Sequence, residues 1–492
     1  LIERDMMTGN LKKNLGLQTI YQVLNTCLPL ITAPYLARTL GAKQLGIFSY
    51  TSSIVTYFIL FAMLGTVNYG TRSIAIVKDD TKKRSKVFCE IYILQMVITL
   101  IAIVSYIFYL NYHCNENIYI AKLQTISIIS CLFDISWLFF GLEDFKRTVT
   151  VNFFFRVITV ITILMFVKKP EDLWIYTLLM LVGTLAGQIV LWACAVKYIK
   201  IVKVSVNEVV KHLKPNILLF IPLLAMSVYH TMDKTMLGIF SNYEQSGFYY
   251  NADKVINIPL CVINGIGTVM LPRMTTLYGT GKRENGDKLF IKCIEAIGML
   301  GVAMTFGIVA IAKEFVPFFF GKGYEACILL TVVLSPVLVI KGLSNTARIQ
   351  YLIPLKMEKV FTNSVIIGAI VNLICNCILI PKYGAMGAVI GTLLAELVSC
   401  AWQFMYIEKT IECKKSFRNI FWYLLIGVVM FFAVRLIALI SLPVILKMVI
   451  EIGVGALVFL GLCVLYWKIS KNEFGQIIFN DFLIRMSVLR NR

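Results

Sequence analysis

Charge is scarce in this chain: 15% of its 492 residues are Asp, Glu, Lys or Arg, against 59% apolar. Soluble domains carry about 25% charged residues, so a water-soluble fold is excluded and the chain belongs in a bilayer. Histidine is rarer still, with three residues, of which only His113 falls in an expected outer loop. A membrane polymerase or acyltransferase needs a positioned acid-base set near one interface. No such set is present, and the outer loops, the longest of roughly a dozen residues, leave no folded external domain to carry one. No GxxxxGK[ST] loop occurs, so the chain does not itself hydrolyse nucleotides. The thirteen Cys form neither a zinc-like pattern nor a disulfide framework, and Cys375-Asn376-Cys377 lies inside an apolar run where packing explains it. No cofactor is implied. Energy, where used, comes from a proton or sodium gradient, the membrane potential or the substrate's own gradient.

Long apolar runs dominate what remains. Roughly 20 apolar residues cross the hydrocarbon as a helix, and about fourteen such runs occur, near 15–37, 45–68, 87–110, 118–140, 148–168, 173–196, 215–238, 247–271, 288–312, 326–346, 358–380, 385–407, 418–440 and 444–467. The formal charge of +20 raises nucleic acid as a partner, but the positions of the cations argue against it. Lys and Arg crowd the loops after even-numbered spans, as in Arg72, Lys78, Lys82, Lys83, Arg84 and Lys86, or Lys409, Lys414, Lys415 and Arg418. By the positive-inside rule these loops and both termini are cytoplasmic, and attraction to anionic headgroups is secondary. Arg4, Lys12 and Lys13 precede a long first span, which reads as a retained amphipathic start and not a cleaved signal.

One pattern occurs twice. Gly46, Gly65-Thr66-Val67 and Arg72 near the second span match Gly247, Gly267-Thr268-Val269 and Arg273 near the eighth, with the same interval of 26 positions from first Gly to Arg. Two similar halves in a membrane chain suggest a transporter, because they can rock about a shared site. Pro29, Pro34, Pro215, Pro222, Pro259, Pro272 and Pro336 recur in the leading spans, where each removes a backbone donor and favours a kink. Bends usable for rocking and generic kinking fit this equally.

Polar side chains within the spans fall into stripes. Asn14, Gln18, Gln22, Asn25 and Thr32 lie within roughly 80° of one another at about 100° per residue, a face for a cavity or for a neighbouring helix. Ser49, Ser52, Ser53 and Thr56 repeat it on the second span. Asn152, Arg156 and Thr159 align on the fifth span, and Lys341, Asn345 and Arg348 on the tenth. An ionisable residue at such depth is functional by default, although Arg348 lies near the inner boundary and can snorkel. The seventh and eighth spans carry Asp233-Lys234 and Asp253-Lys254 at similar depth, with His230 one turn before the first and Asn257 and Asn264 on the face of Asp253. Cross-pairing of the two dipeptides neutralises all four charges; a ligand or coupling site and simple interfacial exposure are the competing explanations. Asp134 on the fourth span and Glu396 in the twelfth are further coupling candidates, since a carboxyl held in a span can take up a proton or sodium ion. Helix packing accounts for either alone.

The run Pro34 to Gly41 followed by Gly46, the segment Trp137 to Asp144, Phe320-Gly321-Lys322-Gly323-Tyr324 and the stretch Pro381 to Ala388 resemble Wzx-type polysaccharide (O-antigen and capsule) flippases of the multidrug/oligosaccharidyl-lipid/polysaccharide exporter superfamily. The resemblance covers essentially the whole chain. It implies an all-α integral membrane protein of about fourteen transmembrane helices: two pseudo-symmetric six-helix bundles around a central cavity, plus two C-terminal helices. Segments then read as a cytoplasmic start (1–14), an N-terminal bundle with its linker (15–214), a C-terminal bundle with its linker (215–417), two peripheral spans (418–467) and a basic tail (468–492). It also implies a substrate, an undecaprenyl-diphosphate-linked oligosaccharide moved from the inner to the outer leaflet of the bacterial cytoplasmic membrane, alongside membrane lipids, a polysaccharide polymerase and chain-length machinery. A diphosphate favours Lys and Arg partners, which singles out Arg38, Arg156, Lys234, Lys254 and Lys341, with Gln18, Gln22 and Asn25 for sugar. Asp134, His230, Asp233, Asp253 and Glu396 are the coupling candidates. Related readings are a lipid-linked peptidoglycan-precursor flippase and a multidrug antiporter. Residues 15 to 36 contain no Asp or Glu to bind a coupling cation, which disfavours the antiporter.

Overall fold

The computed structural model describes residues 31–112 and 117–476 in full, apart from the side chains of Pro222 and Thr268, and residues 2–30 and 113 by backbone alone. All regular structure among them is helical. In chain order the helices are α1 (Ile2–Met63), α2 (Thr66–Ile76), α3 (Thr81–His113), α4 (Ile118–Ser130), α5 (Ser136–Gly141), α6 (Phe145–Phe166), α7 (Leu173–Ala195), α8 (Val206–Val210), α9 (Leu213–Phe240), α10 (Tyr243–Gly279), α11 (Arg283–Phe320), α12 (Ala326–Leu334), α13 (Val337–Ala347), α14 (Glu358–Tyr383), α15 (Ala385–Ile407), α16 (Lys414–Ile437) and α17 (Val444–Ser470). Among the described residues eleven helices are long and apolar enough to span a membrane, or twelve if the bent pair Val206–Ile221 and Leu223–Phe240 is one span. That pair bends by 47° at the Pro222 position.

Three of the fourteen expected stretches take a different form. The first and second run together in α1, interrupted at Gly41, whose φ of 78° is a left-handed backbone that glycine tolerates. The fourth is broken between α4 and α5, which frees carbonyls at membrane depth that must be satisfied from within the protein. Gln95 of α3, fully buried, does this: its Nε2 donates to Cys131 O at 2.6 Å and to Asp134 O at 2.9 Å, while its Oε1 accepts from Trp137 Nε1 at 3.0 Å.

The chain divides into two compact units, Leu1–Asn251 with Asn372–Ala388, and Ala252–Val371 with Val389–Arg492. The first is built on two apolar cores, one around Ile74, Phe88, Trp137 and Leu191, the other around Val55, Tyr106 and Ile128. The second has a core running from Met274 and Phe290 through Tyr351 to Tyr423 and Trp467. Outer faces are apolar as well: Val104, Phe108 and Leu457 are 67%, 61% and 74% exposed, surface that a lipid environment covers.

The doubled glycines explain one crossing in the first unit. A Cβ on Gly46 would lie 1.6 Å from Tyr243 O and 2.9 Å from Gly247 N, and one on Gly247 would lie 1.9 Å from Ala42 O. Two members of the sequence pattern thus press backbone on backbone where the second half of α1 meets the start of α10.

Candidate functional site

A polar cavity of about 340 Å³ opens in the first unit between the α4–α5 break, α6 and α7. The helices α6 and α7 meet closely because residue 183 is glycine; a Cβ there would lie 2.0 Å from Thr159 Oγ1. Further along, Asn152, Arg156 and Thr159 of α6 face Thr184 and Gln188 of α7, with Asp134 and Ser136 at the break and Phe140, Phe145 and Phe155 as apolar walls. The three α6 residues that the sequence placed on one face line the cavity together. Arg156 is half-buried, and Gln188 Oε1 is buried without a hydrogen-bond partner among the described residues. Asp134 Oδ1 accepts the Ser136 N–H at 3.0 Å, at the first residue of α5. A guanidinium beside amides and hydroxyls, walled by aromatic rings, suits an anionic group joined to a sugar. A larger cavity of about 470 Å³ in the second unit is lined by apolar side chains and Glu451 and presents no cation.

Asp233 of α9 is 4% exposed and firmly held: Tyr249 donates its hydroxyl to Oδ2 at 2.6 Å, and Asn376 Nδ2 donates to Oδ1 at 2.6 Å. Lys234 Nζ lies 5.6 Å from the centre of the Tyr250 ring. One residue on, Thr235 Oγ1 is 2.8 Å from Ser53 Oγ and 3.3 Å from Tyr57 OH, so the serine face of the second span meets the seventh. His230 and Arg38 are exposed. The side chains of Gln18, Gln22 and Asn25 lie outside the described residues.

In the second unit Lys341 and Glu396, singled out separately as a binding and a coupling residue, form an ion pair at 3.1 Å, 17% and 7% exposed. One turn along α13, Asn345 Nδ2 donates to Asn264 Oδ1 at 2.7 Å, and Arg348 donates to Asn345 Oδ1 at 3.3 Å while lying over the Phe361 ring. Asp253 Oδ1 accepts from Asn257 Nδ2 at 2.9 Å, and both Asp253 and Lys254 are half-buried.

Sequence reasoning passed over two buried clusters. Glu90, 1% exposed, lies 2.7 Å from His212 Nε2 and 3.0 Å from Lys211 Nζ, and His212 Nδ1 lies 2.7 Å from Tyr69 OH. Glu314 pairs with Arg435 at 3.0 Å and with Lys447 at 3.5 Å. An acid within an apolar run was the available signal for both.

Long apolar helices, polar side chains turned inward and a broken span at a polar cavity are the features of a multi-pass membrane transporter. The fold is that of the lipid II flippase MurJ in its inward closed conformation, with a TM-score of 0.76 at 16% identity over 92% of this chain and 100% of that one. An inward-facing multidrug resistance transporter of the MATE family also shares it, with a TM-score of 0.60 at 14% identity over 80% of this chain and 96% of that one. The chain belongs to the family described as polysaccharide biosynthesis protein, whose pattern matches residues 11–278. It is similar to a putative O-antigen transporter of Escherichia coli K12, at 26% identity over 81% of this chain and 97% of that protein. A probable low-salt glycan biosynthesis flippase, Agl15 of Haloferax volcanii, is 22% identical over 51% of this chain and 53% of its own length. With such relatives, the chain is a membrane transporter and not an enzyme.

Proposed function

We propose that this protein flips undecaprenyl-diphosphate-linked oligosaccharide units from the inner to the outer leaflet of the bacterial cytoplasmic membrane, for surface polysaccharide assembly. The observation that carries this reading is Arg156 in a cavity that also offers Asn152, Thr159 and Gln188, cation and amides together at membrane depth. Likeness along nearly the whole of an O-antigen transporter supports the substrate class. In this reading the chain has fourteen spans with both termini cytoplasmic, two bundles of six that alternate in access, and two further helices near the C-terminus. Lys234, Lys254 and Arg38 are secondary contacts for the diphosphate. Lys341, whose charge is met by Glu396, contributes when that pair opens. Asp233, Asp253, Asp134 and His230 are the sites at which a proton or sodium ion couples, and a polymerase with chain-length machinery takes the product.

The test uses the full chain in vesicles loaded with a lipid-linked oligosaccharide, scoring glycan newly accessible to an impermeant lectin. Arg156→Ala is expected to lower the initial rate at least tenfold while the protein still accumulates, and Arg156→Lys to recover part of it. An unchanged rate in Arg156→Ala removes the cavity from the mechanism. A second reading, flipping of a lipid-linked peptidoglycan precursor, is favoured by the fold likeness to MurJ and by 24% identity over 37% of this chain to the Bacillus subtilis lipid II flippase. Competition between the two lipids in the same vesicles separates them.

A further inference from the structure

Between the ends of α16 and α17, on the side that the basic loops assign to the cytoplasm, lies a cleft of about 600 Å³. Its apolar lining is Ile426, Leu462, Leu465 and Ile469, half-buried at the first two and 53% and 75% exposed at the last two. One wall is aromatic: Trp422 stacks on Tyr466 with ring centres 5.9 Å apart, and the Tyr466 hydroxyl donates to Asn419 Oδ1 at 2.9 Å. The rim carries Lys415, Arg418 and Lys471. Lys415 faces Glu473 at 3.3 Å, whereas Arg418 and Lys471 form no ion pair among the described residues.

The rim is built, not merely basic. Lys471 takes a left-handed backbone, φ 49°, at the end of α17. The turn after it is pinned by Asn472, whose N–H bonds Trp467 O at 3.2 Å and whose Nδ2 donates to the buried Glu295 at 2.6 Å. Lys471 is therefore presented at the mouth by an anchored neighbour.

We infer that this cleft binds an anionic phospholipid of the inner leaflet, its phosphate between Arg418 and Lys471, its upper chain along Trp422 and Tyr466, and its tail over Leu462 and Leu465. Basic pockets between membrane helices on the cytoplasmic side recognise such headgroups, and aromatic side chains settle at headgroup depth. A soluble anion has no use for the open apolar lining beside these cations. A zwitterionic lipid brings its own cation to compete with the two that lie here. This site is independent of the proposed substrate and of Arg156.

The test is titration of the detergent-purified full chain with phosphatidylglycerol, phosphatidylcholine or inorganic phosphate, with bound molecules counted by mass spectrometry. Phosphatidylglycerol is expected to bind at least tenfold more tightly than phosphatidylcholine. Each cation near the surface contributes about fivefold, so Arg418→Gln with Lys471→Gln is expected to lose about 25-fold, with an unchanged thermal midpoint. The single variants read about fivefold each should the pair accumulate poorly, and Arg418→Lys is expected to keep the affinity. Removing two exposed cations elsewhere, Lys82→Gln with Lys282→Gln, should change it less than twofold. Equal binding of the two lipids, an undiminished affinity in the rim variants, or displacement of the lipid by equimolar inorganic phosphate overturns the proposal.

Discussion

Lys341 and Glu396 show what a buried charge pair asks of its surroundings. At 3.1 Å and with little exposure, each pays for the other's loss of water, so deleting one strands the other. Glu396→Ala is expected to destabilise the protein by about 3 kcal/mol, whereas Lys341→Met with Glu396→Leu should return most of that in a thermal melt. Flipping then distinguishes the roles: a structural pair restores transport in the double variant, and a substrate contact at Lys341 does not. The sequence displayed both residues but not their meeting, because helix periodicity gives the face of a residue and not the helix opposite. Outside the spans, Asp80 accepts the backbone N–H groups of Lys83 and Lys82 at the start of α3, at 3.1 and 3.0 Å. These bonds, that to Lys83 foremost, hold its carboxyl below the usual aspartate range. A depressed folded value means that the stabilisation is present above the unfolded pKa and is lost as pH falls through the folded one. Asp80→Asn should therefore flatten the acid limb of thermal stability against pH, while Asp80→Ala lowers the midpoint at neutral pH as well.

At the level of helices, the glycine pair decides how closely two elements meet. Alanine at Gly46 or Gly247 places a methyl inside backbone atoms at 1.6 or 1.9 Å, which no side-chain rotation relieves. Either substitution is expected to cost at least the upper end of the roughly 1–3 kcal/mol usual for overpacking, read as lost accumulation in the membrane. The double variant should fall short of additive, since both changes separate the same two helices. The remaining members of the repeat diverge: Gly65 takes φ 77° and separates α1 from α2, while Gly267 stays inside α10. Spacing alone could not show this, since helical and left-handed glycines look alike in a sequence. The break between α4 and α5 was illegible for a related reason. Residues 118–140 are apolar enough to read as one span, and what stabilises the break is Gln95, an amide on another helix. Asn152, Arg156 and Thr159 were legible as one face because helix period fixes that relation within a single element; Gln188, their neighbour across α7, was not.

At the scale of the whole molecule, the apolar runs identified nearly every long helix because the hydrocarbon thickness sets a minimum length. The chemistry of the transported group was less legible, since it depends on residues that several helices bring together. That chemistry bears on energetics. On the proposed function, a diphosphate leaving the cytoplasm would carry negative charge outward across an inside-negative membrane, favouring export by about 2.3 kcal/mol per net charge per 100 mV. In vesicles held at 100 mV, inside negative, the outward-to-inward distribution of flipped lipid is expected to rise about 50-fold per net charge moved, and to invert when the potential is reversed. With the potential clamped at zero, an imposed proton or sodium gradient isolates ion coupling. If that gradient still drives accumulation, Asp233→Asn should abolish the effect while leaving exchange down the substrate's own gradient intact. Indifference to potential and to both ions would reduce the protein to a facilitator, with direction set by consumption of the glycan outside.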